Sequence, residues 1–563
     1  MCGIWALFSK HSGDEKIGEY YNSFKKIKPR GPDSSSFIEY NDPFNIILGF
    51  HRLAIMDPTL RGNQPFTFEY TKNDSIRNIV VICNGEIYNY TELANKYNIN
   101  LTTGSDCEIL HHLYCKIGVD NMVKELLGEF AFILIDMDIL SGNMDIFIAR
   151  DPFGVRPLFF SIDEDNINFS SEIKGLVSME NMEAFRPGYL TKISRIDKIY
   201  SKMNGYKYYE FPKFMDQYDL ETIKKNVVDL LVESVKSRLI SDRPLGCLLS
   251  GGLDSSLVSS IASKLLKEKG QKLRTFSVGM PGSTDEKYAK LVSKHIDSIH
   301  THVTIEKEEW IKAVNKVIYV IESYDITTIR ASTGQYLISK YIAENTDIKV
   351  LLIGDGSDEL CSGYLYFHKA PNDIESHNEN IKLLDEISCY DVLRADRGVS
   401  SNGLEARVPF LDTRFVNYYL SVDSKLRMVN KNIEKWLLRE SFSDTDYLPN
   451  SIIWRKKEAM SDGVSSVEDP WYIIIQGYAE NLYTNKQLKV KQLLYKPSPP
   501  SKEALYYREL FHSYFSDKID HIIPHYWLPN WCGNITEPSA RVLDVYDSHK
   551  NNKNGEKINH GSI

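Results

Sequence analysis

Over the first two hundred residues, apolar and polar side chains alternate in short runs. NIILGFHRLAIMD (45–57), NIVVICNGEIYN (78–89), EFAFILIDMD (129–138), MDIFIARD (144–151), PLFFSI (157–162) and INFSS (167–171) are of this kind, divided by Gly, Asn and Asp. A period near two is that of half-buried strands, so antiparallel strands are predicted here. DCEILHHLYCK (106–116) breaks the pattern, because Ile109, Leu110, Leu113 and Tyr114 share one face of a helix. Strands with helical cover predict a layered α+β domain over residues 2–205.

Residues 206–225 begin YKYYEFPKFMDQYDL, aromatic and charged without clean periodicity, and are read as a linker. Beyond them the texture changes. Helix-length patterns alternate with the continuous apolar runs LGCLL (245–249), RTFSVGM (274–280) and IKVLLIG (348–354). Such runs between helices predict buried parallel strands in a doubly wound α/β sheet, spanning 226–540. Residues 541–563 end in DSHKNNKNGEKINHGSI, which is poor in large apolar side chains, and disorder is expected there.

Composition sharpens this picture in a few respects. A chain of 563 residues exceeds one compact core. A net charge of −9 argues against a nucleic-acid backbone as main partner. No apolar run reaches the length of a membrane span, and no secretory signal is evident at the N-terminus. The eight cysteines are scattered with no zinc spacing, so reduced thiols and a cytoplasmic setting are expected. Asn534-Ile535-Thr536 fits a glycosylation sequon, which means little without secretion.

Chemistry concentrates at two strand ends in the second half. In LLSGGLDSSLVSS (248–260) a strand ends, Ser250-Gly251-Gly252 turns the chain, and a helix starts near Asp254. Glycines let N–H groups approach an anion, the helix N-terminus adds partial positive charge, and Ser250, Ser255 and Ser256 add hydroxyls. A plain strand–turn–helix corner capped by Asp254 would share the G-G-x-D core. The full S-G-G-x-D-S-S resembles the pyrophosphate-binding loop of ATP pyrophosphatases. IKVLLIGDGSDEL then places Asp355, Asp358 and Glu359 beyond a second strand. Carboxylates beside a triphosphate suit Mg²⁺, although an acidic helix start would look similar.

The chain opens MCGIWALF. With methionine removed, Cys2 carries both a thiol and an α-amine that titrates near neutral pH, so nucleophile and base belong to one residue. A small buried hydrophobe is the commoner fate of cysteine. PRGPDS (29–34), GFHRLAIMD (49–57), CNGEIYN (83–89), GSDCE (104–108) and ARDPFGVRPLFF (149–160) follow in order. Together with MCGIW they resemble the class II glutamine amidotransferases, which implies a four-layer αββα Ntn-type glutaminase domain. The resemblance makes Cys2 the nucleophile toward glutamine, with Asn84 and Gly85 as oxyanion hole. Arg52 would bind the glutamine α-carboxylate and Asp106 its α-amine, pairings that suit a guanidinium and a carboxylate.

The two halves combined resemble the glutamine-hydrolysing asparagine synthetases, further matched by SYDITTIRAS (323–332), YDVLRAD (390–396), GLEARVPFLD (403–412), WRKKEAMSDG (454–463) and HYWLPNW (525–531). That implies glutamine, aspartate and MgATP as substrates, with no nucleic-acid or membrane partner and homodimerisation open to it. Ser250, Gly251, Gly252, Asp254, Ser255 and Ser256 would hold pyrophosphate, with Asp254 and Asp358 on Mg²⁺. Leu248, Val278 and Gly354 fall where the family contacts adenosine. Thr327, Arg330 and Lys457 would stabilise the reacting phosphates, and Asp391 and Arg394 are weaker aspartate-binding assignments.

Three positions depart from the family pattern. Pro29 stands where a histidine usually precedes Arg-Gly-Pro-Asp, Ile353 replaces a serine, and Asp355 replaces a glutamate that is a general-base candidate. An apolar route for ammonia between the sites is expected; strands such as EFAFILI are candidates to line it, though ordinary core packing explains them equally well. Two other readings keep the motifs: another ATP-dependent amide- or ring-forming synthetase, and a sensor that binds glutamine or ATP without turnover.

Overall fold

A computed structural model describes residues 1–10, 16–72, 75–215 and 219–546. In the first domain the strands are β1 (Gly3–Ser9), β2 (Ser34–Tyr40), β3 (Ile46–Arg52), β4 (Phe66–Lys72), β5 (Ser75–Ile87), β6 (Gly128–Asp138), β7 (Met144–Arg150), β8 (Phe159–Ile162), β9 (Asn166–Ser170), β10 (Met182–Ala184), β11 (Tyr189–Ile196), β12 (Ile199–Tyr200) and β13 (Asn204–Lys207). They form two antiparallel sheets, ordered β10-β8-β9-β1-β3-β2 and β12-β11-β7-β6-β5-β4, with β13 on β11.

Alternation along the strands sets the layers. Ile4, Ala6 and Phe8 of β1 meet Val80 and Ile82 of β5 and Ala131 and Ile133 of β6 in a core between the sheets. On the opposite face of β1, Trp5 and Leu7 pack with Phe24 of helix Ile17–Lys25. On the opposite face of β5, Ile79, Val81 and Cys83 pack with Ile109, Leu110 and Leu113 of helix Ile109–Ile117. Three cores separating helix, sheet, sheet and helix give the expected αββα stack. EFAFILI lies in β6 at the middle of its sheet, with both faces in these cores. Residues 130–135 thus pack as core between β5 and β7, while Glu129 at the start of the segment reaches Arg238 and the Val408 N–H of the second domain.

The second domain carries a parallel sheet of β14 (Leu245–Leu248), β15 (Arg274–Gly279), β16 (Ile299–Thr304), β17 (Val350–Leu352) and β18 (Glu405–Arg407), in the order β16-β15-β14-β17-β18. The chain moves outward from β14 to β16, then crosses to the other side of β14. That reversal puts a topological switch point between β14 and β17, where crevices open beyond the carboxyl ends of strands. The loops SGGLDSS and GDGSDEL follow those two strands.

Two boundaries differ from the sequence reading. The linker is shorter than 206–225, since β13 runs to Lys207 and helix Leu220–Ser237 already belongs to the second domain. Residues 541–546 are packed, with Leu543 and Tyr546 buried and Arg541 bonded to Glu458. The remainder of the expected tail lies outside the described residues. Among the described residues no helix is long and apolar enough to cross a membrane.

The domains share one apolar core, in which Leu53, Ile55, Phe153 and Val155 join second-domain residues. Beside it runs a lattice of buried ion pairs. Arg30 pairs with Glu172 at 3.0 Å and Asp396 at 2.7 Å. Arg156 meets Glu129 at 2.9 Å, and Arg238 bridges Glu129 at 3.0 Å and Asp412 at 2.8 Å. Arg407 joins Glu86 at 3.3 Å to Glu405 at 2.8 Å. Glu322 receives Lys174 at 3.2 Å and Arg397 at 2.8 Å. Desolvating such charges is expensive, and only their mutual pairing offsets it.

Arg30→Met would leave Glu172 to Lys174 and Asp396 to the more distant Arg156, and removing one partner of a buried pair is destabilising by up to about 3 kcal/mol. Its thermal unfolding midpoint should fall measurably; an unchanged midpoint would mean that the pair contributes nothing to docking. Burial opposes ionisation of Glu172, but Lys174 and Arg30 outweigh it and hold the carboxyl down at about 2. The stability it gives is therefore complete above the ordinary carboxylate range and lost as pH falls toward 2. Acid titration of domain docking should show that window, and loss already near pH 5 would contradict it.

Candidate active site

Functional side chains gather in two places. The first starts at Cys2, just ahead of β1. Its carbonyl is held by Arg30 Nε at 2.8 Å, and its Sγ lies 3.7 Å from the Leu53 carbonyl. Pro29 sits at the start of the turn Lys28–Arg30, where a fixed φ suits a helical first position. The residue in the histidine's place thus helps present Arg30 to Cys2. Burial pushes the Cys2 thiol up to about 11, against the pull of the N-terminal amine. Such a thiol is protonated at neutral pH and needs a base. Met1 is buried, its amine 3.4 Å from the Leu404 carbonyl and 3.9 Å from Glu405. Burial lowers that amine to about 6. Met1 thus lies between Cys2 and the second domain.

Asn84 ends the apolar stretch of β5. Its side chain is fully buried, and neither amide atom has a partner. An unmet buried amide costs free energy until something pairs with it; a developing oxyanion is such a partner. Gly85 stands opposite Phe130, where an added Cβ would lie 2.3 Å from the Glu129 carbonyl, so only glycine permits this pairing. Arg52, at the end of β3, donates through Nη1 to Thr59 O at 2.7 Å and Asn63 Oδ1 at 2.8 Å, and through Nη2 to the Met56 and Asp57 carbonyls. These bonds fix its orientation. Asp106 accepts from Ile87 N–H at 2.6 Å, and burial raises its carboxyl to about 6.

Sequence reasoning missed three neighbours. Glu86 is buried and raised well above its ordinary range, by burial first and then by Glu405. Glu405 and Arg407 reach it from β18. A carboxylate inside the apolar CNGEIYN strand was the available signal for Glu86, whereas nothing local marks β18.

The second place is a pocket at the switch point. It is lined by Leu248, Ser250, Gly252, Asp254, Ser255, Thr327, Gly354, Asp355, Asp358, Asp391, Arg394 and Lys457 among others. Gly251 has φ +78°, and a Cβ there would strike Ala289 N at 2.4 Å, so glycine is required for the turn into helix Leu253–Glu268. Ser250 and Ser255 hydroxyls are 3.0 Å apart, while Ser256 is buried in the helix behind them and Val278 in β15. Thr327 Oγ1 is buried without a partner and faces the pocket.

Charges in the pocket are already paired. Lys435 Nζ lies 2.6 Å from both Asp254 Oδ1 and Asp358 Oδ1, and Lys457 lies 2.5 Å from Asp358 Oδ2. Burial disfavours the charged Asp358, but Lys435 and Lys457 prevail and hold its carboxyl well below the usual range. Two convergent carboxylates are a hard oxygen donor set of the kind that holds Mg²⁺ together with phosphate oxygens, so the residues fit that ion. Lys435 was not foreseen. It occupies a left-handed backbone conformation (φ 57°) ahead of helix Trp436–Ser443, and only the fold brings it to the carboxylates. Arg394 pairs with Asp355 at 2.8 Å and with Asp391. Burial pushes the Asp355 carboxyl up.

Arg330 requires correction. Its guanidinium is clamped by Glu503 at 2.8 and 2.5 Å and by Glu537 at 2.5 and 2.9 Å, and it does not line the pocket. Its helix turns it toward Lys502–Tyr514 rather than the switch point, so it ties the C-terminal region to the sheet.

A family model described as asparagine synthase matches residues 226–389 and 377–520, and one for a glutamine amidotransferase domain matches residues 1–202. Asparagine synthetase (glutamine-hydrolyzing) of Gallus gallus is 42% identical over 577 residues, 97% of this chain and 99% of that protein. The protein of the same name from Homo sapiens is 42% identical over 572 residues, with the same coverage. Among solved structures, one titled as the allosteric regulatory enzyme of purine biosynthesis matches at 16% identity and TM-score 0.31, over 54% of this chain and 80% of that one.

Lys435→Met would leave the half-buried carboxylates of Asp254 and Asp358 with Lys457 as their remaining counter-charge, and should lower the thermal midpoint. MgATP should therefore raise the thermal midpoint of this variant more than that of the parent. Equal shifts would show that the lysine is not their counter-charge.

Proposed function

The chain belongs to the glutamine-hydrolysing asparagine synthetase family and makes asparagine from glutamine at the expense of ATP; from that premise we propose how its residues divide the work. The observation carrying the proposal is the pairing, in one chain, of a first domain that holds Cys2 and a buried, unmet Asn84 with two loops at a sheet switch point in the second.

At the first site, removal of Met1 gives Cys2 its own α-amine. That amine takes the thiol proton while sulfur attacks the glutamine side-chain carbonyl carbon. Asn84 Nδ2 and the Gly85 N–H stabilise the oxyanion; the amine passes its proton to the amide nitrogen, which leaves as ammonia, and water then hydrolyses the γ-glutamyl thioester on Cys2 to glutamate and the free thiol. Arg52 and Asp106 hold the α-carboxylate and α-amine of glutamine. The raised Asp106 carboxyl ionises fully when the substrate ammonium arrives.

At the second site, an aspartate β-carboxylate oxygen attacks the α-phosphorus of ATP and pyrophosphate leaves, giving β-aspartyl-AMP. Ammonia then attacks the acyl carbon and AMP leaves. Ser250, Gly251, Gly252, Ser255 and Ser256 form the pyrophosphate loop, with Leu248, Val278 and Gly354 around adenosine. Asp254 and Asp358 would hold Mg²⁺, which supplies charge neutralisation for the phosphates. Thr327 and Lys457 face the reacting region, and Arg394 with Asp391 faces aspartate. Asp355 takes the proton from attacking ammonia; its burial-raised carboxyl makes it a better base, while its shorter reach and its bond to Arg394 predict altered efficiency. Ammonia passes within the protein across β18. The proposal extends to a cytosolic setting and a homodimer.

Native protein given glutamine, aspartate and MgATP should yield asparagine, AMP and pyrophosphate; ADP and phosphate would sink the adenylate mechanism. Cys2→Ala should lose glutamine use yet keep synthesis from added ammonia. Asn84→Ala should lower glutaminase kcat by about 10²–10³ with ammonia-dependent synthesis intact. Homogeneous protein bearing Met1 should behave like Cys2→Ala, and glutaminase activity in it would refute the amine's role.

A further inference from the structure

Asp57 closes the GFHRLAIMD motif, Gly104 opens GSDCE, and the fold brings the two together. The Gly104 N–H donates to Asp57 Oδ2 at 2.9 Å. The other carboxylate oxygen, Oδ1, accepts from the Thr59 N–H at 3.1 Å and from the Thr59 hydroxyl at 2.5 Å. Asp57 is buried and takes a left-handed backbone conformation (φ 47°), which aspartate tolerates better than most residues. Burial opposes its charge, but the bonds from Thr59 and Gly104 and the nearby Arg52 outweigh it and hold the carboxyl below its ordinary value. The backbone of Asp57 is engaged as well. Its carbonyl accepts from Arg52 Nη2, and its N–H donates to Asp242 Oδ2 of the second domain at 2.8 Å.

Arg52 ends β3 in one sheet of the first domain, whereas Asp106 is bonded to the Ile87 N–H at the end of β5 in the other. The α-carboxylate and α-amine of an amino acid hang from one carbon, so the two groups that hold them must keep a fixed separation. Asp57 spans that gap. On one side its carbonyl orients the Arg52 guanidinium. On the other its carboxylate grips Gly104, two residues before Asp106. The turn passes this restraint on, because Glu108 accepts from the N–H and the hydroxyl of both Thr102 and Thr103 and so closes residues 102–108 into a loop. A displaced Gly104 would carry Asp106 with it.

We propose that Asp57 is a positioning residue that sets the spacing of Arg52 and Asp106, and through it the affinity for the amino-acid end of glutamine. Both of its carboxylate oxygens are engaged by Thr59 and Gly104, so it acts through the two residues it holds rather than on the substrate. No bond is made or broken at Asp57. The reacting amide end of glutamine is handled by Cys2, Asn84 and Gly85, so binding should suffer before chemistry does. The inference rests on reading the first site as the place of glutamine hydrolysis.

Asp57→Asn and Asp57→Gly both accept the left-handed conformation; the first keeps one acceptor oxygen and the second removes the side chain. In protein lacking Met1, the glutaminase KM for glutamine should rise about 10- to 100-fold in Asp57→Gly, the range of hydrogen bonds to a charged group, and by less in Asp57→Asn, with kcat close to the parent's. The chloromethyl ketone analogue of glutamine carries the same α-carboxylate and α-amine, and should alkylate Cys2 more slowly by a similar factor. Iodoacetamide carries neither group and should alkylate Cys2 at the parental rate. The KM for ATP and synthesis from added ammonia should not change, which certifies folding. A parental KM for glutamine would overturn the inference. Equal slowing of both reagents, or a fall in kcat at parental KM, would overturn it by placing the effect at Cys2 itself. Loss of every activity together in both variants would overturn it in favour of a purely structural role. Absence of glutaminase activity in the parent would instead sink the reading of the first site.

Discussion

Thirteen charged side chains are buried where the two domains meet: six basic groups, Arg30, Arg156, Lys174, Arg238, Arg397 and Arg407, against Glu86, Glu129, Glu172, Glu322, Asp396, Glu405 and Asp412. The N-terminal amine lies 3.9 Å from Glu405 at the edge of this set, and burial lowers it to about 6. Ions held this far from water tolerate little misplacement, since each loses far more by being stranded than it gains by being paired. The domains are thereby locked in one relative position. Everything the two sites do together depends on that lock, because β18, a three-residue strand, supplies charges to the lattice and also stands between the sites. Retained Met1 would occupy this same narrow place.

Within the second site the cations are engaged before any substrate arrives. Lys435 stands between Asp254 and Asp358, and Arg394 between Asp355 and Asp391. Acids outnumber these cations, a surplus of the kind that a divalent ion arriving with the nucleotide would offset. Asn84 and Thr327 are of another kind: neutral side chains, buried or facing the pocket, whose polar atoms have no hydrogen-bond partner.

What the sequence revealed was whatever is encoded locally. The period-two runs gave the strands of the first domain, and continuous runs gave β14, β15 and β17, because burial on one face or two is written into neighbouring residues. SGGLDSS was legible for the same reason: its glycines and serines act on their own loop. Elements whose character comes from distant partners were not legible. β18 is three residues long with two buried charges, which no hydropathy pattern predicts. Arg330 sits inside a matching motif, yet Glu503 and Glu537, far along the chain, claim it. Lys435 shows the converse, since only the fold brings it to Asp254. EFAFILI was open to two readings, since an apolar run does not distinguish a core from the wall of a passage; residues 130–135 pack in the core.

The central claim is that nitrogen passes from Cys2 to the adenylate without leaving the protein. Glutamine labelled with ¹⁵N in its side-chain amide, supplied with aspartate, MgATP and unlabelled ammonium held below the concentration that supports ammonia-dependent synthesis, tests it directly. The asparagine amide should carry the label at nearly the enrichment of the glutamine. Label diluted to the proportion of nitrogen in the bulk solution would show that ammonia escapes and returns, and the docked two-site account would then be wrong.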